Sequence, residues 1–221
     1  ACVAWDRSAV PAEDLRRGGE FIAREAPDVF FQIAMGSPDW IEFTATQCRE
    51  RRIRFVYTST VSVFDGGKPG PFAVDHPTDA PNDYGRYKAD CERRIRAVNP
   101  DALIVRIGWQ IGRAPGSNNM VDFLCRAQAE KGGIDASTGW IPSCAFLEDT
   151  AEGLHRLATS FSPGTYQLEG NPGWSFHAIV QGLNHLLGMQ WAVRSIDEPR
   201  KDIRMLDDRI AIGKLDARLS A

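Results

Sequence analysis

A tyrosine and a lysine four positions apart, in the stretch DYGRYKAD (83–90), have the residue types and the spacing for acid–base chemistry. On a helix this spacing places the side chains of Tyr84 and Lys88 on one face. A free tyrosine, with a pKa of about 10, is a weak acid at pH 7, and a nearby ammonium favours the phenolate. Such a tyrosine can exchange a proton with a carbonyl or alcohol oxygen while hydride moves to or from the carbon. An exposed helical pair without a catalytic role is the alternative.

Small hydroxyl-bearing residues precede this pair, at the end of the stretch IRFVYTST. The apolar residues predict a buried strand, and Thr58, Ser59 and Thr60 lie at its carboxyl end. In an open parallel sheet, ligands bind outside the carboxyl ends of the strands. We therefore expect the hydroxyls, Tyr84 and Lys88 to converge on one crevice, where a hydroxyl would orient the reacting oxygen. A simple strand-end cap at Thr60 is the alternative.

The elements that position these residues follow from an alternation of apolar runs and helical patterns. Apolar strands separated by helices of 12–16 residues indicate parallel strands that are buried on both faces. The predicted fold class is therefore an α/β doubly wound parallel sheet of the Rossmann type. The predicted strands cover 2–5, 28–35, 53–59 and 102–108, and the predicted helices cover 12–26, 38–52 (with Ser37 as the N-cap) and the stretch that contains Tyr84.

Beyond Trp109 the pattern loosens and predicts a smaller lobe that packs on the sheet. Glycines and prolines separate the segments of this part. We divide the chain into a dinucleotide-binding core over 1–112 and a mainly substrate-binding lobe over 113–221, from which some elements return to the core. The predicted helices here cover 118–131, 147–160 and 175–187, with short strands near GTYQLEG and WAVRSI.

Composition and charge exclude several classes of protein. The 221 residues carry a formal net charge of −3 with interleaved signs, whereas a nucleic-acid-binding surface needs a clustered basic face. No run approaches the ~18 apolar residues of a membrane span. Five cysteines, odd in number and without a C-x-x-C pair, favour reduced thiols and a cytoplasmic location. The four histidines show no metal-ligand spacing, so we predict no metal site.

The stretch VYTSTVSVFDGGKPGPFAVDHPTDAPNDYGRYKADCE (56–92) resembles the extended short-chain dehydrogenase/reductase family. The likeness is strongest to the dTDP-4-dehydrorhamnose reductases and to related NAD-dependent epimerase-like enzymes that modify nucleotide sugars. Members of this branch show S-T-D-Y-V-F-D-G, an acidic proline-rich loop and then Y-G-x-x-K-x-x-x-E. The resemblance continues in the same order through LIVRIGWQIG, GSNNMVDFLCRA, GWIPSCAFLEDTAEGL and GTYQLEGNPGWSF.

The resemblance implies an NAD(P)-dependent oxidoreductase that acts on a keto or hydroxy group of a nucleotide-linked sugar. It implies Thr60 as the orienting hydroxyl, Tyr84 as the general acid, and Lys88 as its pKa modulator and ribose ligand. The implied partner is the small nucleotide-sugar substrate; a homodimer is left open, and no nucleic acid or membrane is expected. The implied cofactor-binding residues are Asp6, Arg7, Ile33, Ala34, Met35, Gly36, Thr58, Tyr84, Lys88 and Ile107. The implied substrate-binding residues are Thr60, Ser62, Trp109, Asn118, Asn119 and Phe123.

Two other functions stay open at this point. An epimerase of the same fold would oxidise and re-reduce its sugar without net redox. A non-catalytic NAD(P)-binding or sensor protein would keep the fold without turnover. The assignment of Trp109 is open as well: the resemblance places it against the sugar, whereas a buried aromatic side chain is equally consistent with core packing.

The chain departs from the family pattern at two places. Val61 and Ser62 stand where the reductases have Asp-Tyr, so the particular sugar stays open. A Rossmann half also needs a glycine-rich strand-to-helix turn for the pyrophosphate, and no stretch has that spacing. The simplest interpretation places that turn upstream of Ala1. Asp6 in VAWDRS then favours NAD unless it is a turn residue, whereas Arg7 suits the 2′-phosphate of NADP, and NADP is slightly favoured.

Overall fold

The structure, a computed structural model, describes residues 2–219. Its centre is a sheet of four parallel strands with helices between successive strands, which confirms the predicted α/β Rossmann-like fold. In spatial order these strands are β1 (Val29–Gln32), β2 (Arg54–Thr60), β4 (Leu103–Ile107) and β9 (Gly164–Leu168). The other strands pair in twos: β3 (Phe72–Ala73) with β12 (Met205–Leu206), β5 (Trp109–Ile111) with β8 (Cys144–Phe146), β6 (Ile134–Ser137) with β10 (Val193–Ile196), and β7 (Trp140–Ile141) with β11 (Lys201–Asp202). The helices are α1 (Leu15–Glu25), α2 (Pro38–Glu50), α3 (Asp83–Val98), α4 (Met120–Lys131), α5 (Leu147–Ser160), α6 (Phe176–Leu186) and α7 (Asp216–Leu219), with a 3-10 helix over Val61–Val63.

Both faces of the central sheet are covered, because alternate side chains of each strand point to opposite sides. On one face Tyr57 of β2 packs in a cluster with Ile41 of α2 and Ile95 of α3. On the other face Val56 packs in a cluster with Leu157 of α5. Each of these buried side chains stabilises the fold by ~1.5–3 kcal/mol relative to its exposed state. The central strands are therefore fixed from both sides, and their carboxyl ends form a rigid edge.

Two helix starts matter for the site, and a side chain caps each of them. Ser37 Oγ accepts a hydrogen bond from the Trp40 N–H (3.1 Å), so α2 begins where the Ser37–Pro38 pair predicts. Asn82 Oδ1 accepts a hydrogen bond from the Gly85 N–H (2.8 Å) at the start of α3. Such a cap stabilises its helix by ~1 kcal/mol. The second cap fixes the first turn of α3, which carries the candidate acid.

The C-terminal half has its own hydrophobic cluster and also returns elements to the sheet. Apolar residues of α4, α6, β6 and β8 form that cluster together with Trp191 and Leu215. β9 pairs with β4 in parallel register, and α5, which covers the predicted 147–160, packs on the sheet. Elements that return to the core were expected in this half, while the division at residue 112 stays a prediction.

The predicted strand over residues 2–5 is wrong, since these residues form no strand. The ring of Trp5 instead packs against Phe21, Phe30 and Trp40, with centroids 4.7, 6.0 and 4.7 Å away. A strand is stabilised by the backbone of a neighbouring strand, which an apolar run by itself does not provide. Aromatic packing therefore decides the path of this segment.

Within residues 2–219, no helix is long and apolar enough to cross a membrane. The same residues contain no group of three or more His, Cys, Asp or Glu side chains that could hold a metal ion. The five cysteines are free thiols, of which Cys48, Cys91 and Cys144 are buried. Burial raises the pKa of the Cys48 thiol to about 12, which leaves it unreactive at neutral pH.

Candidate active site

A cavity of about 410 Å³ opens at the carboxyl ends of β2 and β4. Thr60, Tyr84 and Lys88 all line it, so the three residues expected to perform the chemistry are brought together. The predicted site residues in its wall are Ile33, Met35, Thr58, Thr60, Ser62, Tyr84, Lys88, Ile107, Trp109, Asn118 and Asn119. Ser59, whose hydroxyl was expected at this edge, also lines the cavity, and the wall residues outside the prediction are Gly108, Gln110, Ser117 and Leu147.

Tyr84 lies in the first turn of α3, which packs tightly against the 3-10 helix. A Cβ atom at Gly85 would lie 2.0 Å from the Ser62 carbonyl oxygen, so only glycine permits this approach. Tyr84 itself is 44% exposed. Partial burial raises the pKa of the Tyr84 hydroxyl, and a hydrogen bond with Thr60 opposes that rise. The phenol therefore holds its proton at neutral pH and can act as the donor.

Lys88 lies one turn further along α3 and is only 3% exposed. Its Nζ donates a hydrogen bond to the Thr58 carbonyl oxygen (2.8 Å) and lies 4.7 Å from the centroid of the Tyr57 ring. Burial lowers the pKa of Lys88 to about 8, while Cys91 and Glu92 oppose this lowering. The ammonium form therefore still prevails at pH 7, close to the pH at which it is lost.

The direction of the Tyr84 pKa shift differs from the sequence-based expectation. The spacing predicts that Lys88 lowers this pKa, whereas in the structure the pKa of Tyr84 lies above its ordinary value. Desolvation of the hydroxyl is the largest cause, and the ammonium of Lys88 is held by the Thr58 carbonyl and the Tyr57 ring. Residue spacing on a helix places two side chains on one face but does not determine which groups they contact.

The hydroxyls at the end of β2 have different partners. Thr60 Oγ1 accepts a hydrogen bond from the Ser62 N–H (3.1 Å), so it caps the 3-10 helix, and the interaction of Thr60 with Tyr84 opposes the rise of the Tyr84 pKa. Thr58 Oγ1 faces the carbonyl oxygens of Gln32 and Ile33, each at 3.4 Å. Thr60 therefore caps the 3-10 helix and also lines the same cavity as Tyr84.

The loop that follows β1 forms the opposite rim of the cavity. Gln32 Nε2 donates a hydrogen bond to the Ala34 carbonyl (2.7 Å), and β1 ends at Gln32 rather than at the predicted residue 35. The Tyr87 hydroxyl donates a hydrogen bond to the Gly36 carbonyl (2.7 Å). α3 therefore fixes this loop from one face while it presents Tyr84 and Lys88 to the cavity.

Asp6 and Arg7, predicted to contact the adenosine ribose and its 2′-phosphate, lie outside the 410 Å³ cavity. Asp6 Oδ1 accepts a hydrogen bond from the Ser8 N–H (2.8 Å), which is the turn interaction considered as the alternative. The Arg7 guanidinium donates to the Met35 carbonyl. Arg7 and Ala34 line a neighbouring cavity of about 240 Å³. The polar groups of Asp6 and Arg7 thus bond to backbone groups of this chain.

Trp109 packs against the lobe core and also lines the cavity. Its ring lies 6.0 Å from that of Phe176 in a stacked arrangement and 5.2 Å from that of Phe123. Phe123, predicted to bind substrate, is absent from the cavity wall. Asn119 Oδ1 accepts a hydrogen bond from the Asp122 N–H (3.0 Å), so Asn119 caps α4 as well as lining the cavity.

Three wall residues have unusual features, and of these only Asn118 was predicted. Ser117 and Asn118 are consecutive residues with φ of 54° and 57°, in the left-handed region. Such residues cost ~1–3 kcal/mol and concentrate at ligand sites. Gln110 Nε2 donates to the Gly108 carbonyl (3.0 Å), while its Oε1 is buried without a hydrogen-bond partner. A single polar residue in an apolar strand has no periodicity, so sequence analysis missed Gln110.

Two curated proteins are similar to this chain over most of its length. The chain is similar to the spore coat polysaccharide biosynthesis protein SpsK of Bacillus subtilis (strain 168), with 27% identity over 70% of this chain and 53% of the relative. It is also similar to the dTDP-4-keto-6-deoxy-D-glucose reductase of Streptomyces niveus, with 27% identity over 77% of this chain and 56% of the relative. The chain thus spans about half the length of these curated relatives.

Solved structures confirm the fold, and the sequence match identifies the family. The dTDP-4-dehydrorhamnose reductase from Bacillus anthracis str. Ames, in complex with NADP, has a TM-score of 0.82 over 97% of this chain and 86% of that chain, at 17% identity. The Bordetella bronchiseptica enzyme WbmH, in complex with NAD+, has a TM-score of 0.74 over 95% and 78%, also at 17% identity. The family described as RmlD substrate binding domain matches residues 25–190. Because that match covers most of the chain, the chain belongs to the RmlD substrate binding domain family.

Proposed function

We propose that this chain carries the catalytic centre of an NAD(P)-dependent reductase acting on a keto group of a nucleotide-linked sugar. The observation that carries the proposal is the convergence of Thr60, Tyr84 and Lys88 on one cavity at the carboxyl edge of a parallel sheet. Carbonyl reduction needs a proton donor and hydrogen bonds to the oxygen on which charge develops. The name of the Streptomyces niveus relative, a dTDP-4-keto-6-deoxy-D-glucose reductase, supports the substrate class.

The cavity wall fits the nicotinamide riboside end of a dinucleotide. Apolar side chains remain exposed there: Ile33 by 61%, Met35 by 51% and Leu147 by 44%. Exposed apolar groups gathered around one concave site are typical of a ligand pocket. Lys88 has three N–H donors, and one of them is bonded to the Thr58 carbonyl, so the other two can donate to ribose hydroxyls.

The described residues offer no comparable site for the pyrophosphate of the dinucleotide. Among residues 2–219, no glycine-rich turn with the required spacing joins a strand to a helix. One structural neighbour holds NADP and another holds NAD+, so both dinucleotides are compatible with the fold. The slight preference for NADP, which depends on Arg7, stays a prediction.

In the proposed reaction a bound nicotinamide would supply the hydride. Tyr84 donates its proton to the carbonyl oxygen of the sugar, and its raised pKa keeps that proton available at pH 7. Thr60, which lines the same cavity as Tyr84, orients the same oxygen. Lys88 keeps a positive charge at the buried end of the cavity, where it favours the phenolate that forms when the proton leaves.

The sugar would lie between α3 and the lobe. Trp109 offers an apolar surface, and Ser62 and Gln110 offer hydrogen-bonding groups on the same wall. Asn118 and Asn119 lie on the wall beside them and stay our prediction for the nucleotide end. A homodimer, a cytoplasmic location and the absence of nucleic-acid and membrane partners likewise stay predictions from the sequence.

The test is a comparison of Tyr84→Phe with Tyr166→Phe in an assay of NADPH oxidation with a dTDP-4-keto-6-deoxy sugar. Tyr84→Phe should lower kcat by a factor of about 10² or more and leave the Kd of NADPH nearly unchanged, because only the proton donor is removed. Tyr166, whose hydroxyl donates to the Ser162 carbonyl away from the cavity, is the matched control. Near-normal turnover in Tyr84→Phe would refute the assignment of the acid. Sugar conversion without net NADPH consumption would favour the epimerase instead.

A further inference from the structure

A buried ion pair lies directly behind the cavity and takes no part in the proposed chemistry. Glu92 of α3 accepts two hydrogen bonds from Arg106 of β4, Nη2 to Oε2 at 2.8 Å and Nε to Oε1 at 3.1 Å. The two side chains are 9% and 6% exposed. The Ser59 hydroxyl of β2 donates a further hydrogen bond to Glu92 Oε1. One carboxylate thus joins the three elements whose ends form the cavity.

Stability alone is a poor explanation for this arrangement. Moving two charges out of water costs free energy, and well-packed apolar residues often serve the fold as well as a buried ion pair does. The network instead holds α3 against the end of β2, where the Lys88 ammonium lies. Lys88 and Glu92 are four residues apart on α3, and they contact consecutive residues of β2, namely the Thr58 carbonyl and the Ser59 hydroxyl. These two contacts set the position of α3 along the strand.

We propose that Glu92 is a positioning residue for Lys88: it fixes the Lys88 ammonium at the end of β2 and keeps that ammonium charged. Arg106 and Ser59 in turn hold the carboxylate of Glu92 in place. This inference rests on the proposed function for its catalytic meaning, since the charge on Lys88 matters only if Tyr84 works as an acid. The effect of Glu92 on the position and charge of Lys88 can be tested independently of that function.

The groups around Lys88 determine the sign of the effect. On its own helix lie Tyr84, Cys91 and Glu92, and on β2 lies the ring of Tyr57. Burial is the largest influence and lowers the pKa of Lys88 to about 8, and Cys91, followed by Glu92, opposes it. Because Cys91 is a thiol whose own pKa is raised by burial, it is neutral at pH 7. Glu92 is therefore the acidic group that opposes the loss of charge on Lys88, and the guanidinium of Arg106, which pairs with Glu92, carries the opposite charge.

The experiment is a pH titration of the lysine side chains by carbon-13 NMR of the Cε atoms, in the chain without cofactor or substrate. The chain has only five lysines, and the spectrum of Lys88→Met assigns the signal of Lys88. We expect a midpoint near pH 8 in the unaltered protein, and a midpoint lower by about one pH unit or more in Glu92→Gln. Asp90→Asn removes a carboxylate from the same helix that pairs with Arg93 and Arg94, and it should leave the midpoint unchanged. An unchanged midpoint in Glu92→Gln would overturn the proposal.

A second variant keeps the test valid should Glu92→Gln fail to fold with Arg106 left unpaired. Glu92→Gln combined with Arg106→Gln removes both charges, and its Lys88 midpoint should lie between those of the unaltered protein and Glu92→Gln. A midpoint at or above that of the unaltered protein would contradict the inference. In the reductase assay, loss of rate with rising pH should begin at lower pH in either variant. An NMR shift without any reductase activity would refute the proposed function and leave the role of Glu92 intact.

Discussion

The junction of β2 with α3 and the segment before α1 were both predicted to carry site residues, but they hold their polar groups in different ways. At the junction, Lys88 is 3% exposed and its Nζ donates to a strand carbonyl in the cavity wall. In the segment before α1, the polar groups of Asp6 and Arg7 are exposed and contact the nearby Ser8 N–H and the Met35 carbonyl. Buried groups on rigid elements are preorganised for chemistry, whereas exposed groups on an irregular segment are readily satisfied by their neighbours.

The largest effect is expected from substitution of Lys88, which should lower the catalytic rate and raise the stability of the fold. The pKa of Lys88 falls from 10.5 to about 8 in the fold, so the unfolded chain binds more protons between these pH values. The free energy of unfolding therefore rises with pH in that window, and the destabilisation is fully present below pH 8. Lys88→Met should raise the free energy of unfolding at pH 7 by ~1–2 kcal/mol, after the loss of one hydrogen bond is deducted.

The same variant should lower kcat by a factor of about 10² or more, because the phenolate of Tyr84 then forms without a nearby cation. Urea unfolding at pH 7 and at pH 10.5 measures the stability, and the gain should largely disappear at the higher pH. Arg93→Met, at an exposed position of the same helix, is the control and should change neither quantity appreciably. A Lys88→Met variant that is less stable than the unaltered protein at pH 7 would show that the buried ammonium stabilises the junction.

The next effect concerns the close approach of α3 to the 3-10 helix. An alanine Cβ at position 85 would lie 2.0 Å from the Ser62 carbonyl oxygen and 2.5 Å from the Ala80 Cβ. Since a backbone carbonyl cannot move aside freely, Gly85→Ala should displace the first turn of α3, and a displacement of ~1 Å can cost a factor of about 10² in rate. Gly132→Ala, at the left-handed end of α4 with open space around it, is the matched control.

The two glycine variants should distinguish a displaced Tyr84, which lowers kcat, from a general loss of stability. Gly132→Ala should lower the free energy of unfolding by ~1 kcal/mol through backbone strain and leave kcat unchanged. Gly85→Ala should lower kcat even at temperatures where the protein stays fully folded by circular dichroism. Equal kcat values in the two variants would mean that the position of Tyr84 tolerates a shift of the helix start.

The sequence was informative where a local pattern determines the structure. α5 covers the predicted 147–160, and Ser37 begins α2 as expected, because helical periodicity and capping are local properties. Thr60, Tyr84 and Lys88 share a cavity as predicted, since the carboxyl ends of parallel strands meet at one edge of the sheet.

The sequence was uninformative where the local structure or the pKa depends on residues that are distant along the chain. The run at 2–5 forms no strand, because strand formation needs a neighbouring backbone that an apolar pattern cannot reveal. The pairing of Glu92 with Arg106 joins residues on a helix and a strand, and neither has a sequence signal for the other. The pKa of Tyr84 shifts upward for the same reason, since its burial is a tertiary property.

The smallest effects are expected at the exposed residues Asp6 and Arg7. Asp6→Asn keeps an oxygen acceptor for the Ser8 N–H, and Arg7→Met removes one exposed hydrogen bond to the Met35 carbonyl. Each should change the free energy of unfolding by less than ~0.5 kcal/mol, as expected for exposed polar groups. If the guanidinium of Arg7 stays on that carbonyl, Arg7→Met should alter the ratio of the Kd values for NADPH and NADH by less than about tenfold, or ~1.4 kcal/mol. Fluorescence titration with both dinucleotides measures that ratio, and a change of a hundredfold would show that Arg7 leaves Met35 to bind the 2′-phosphate.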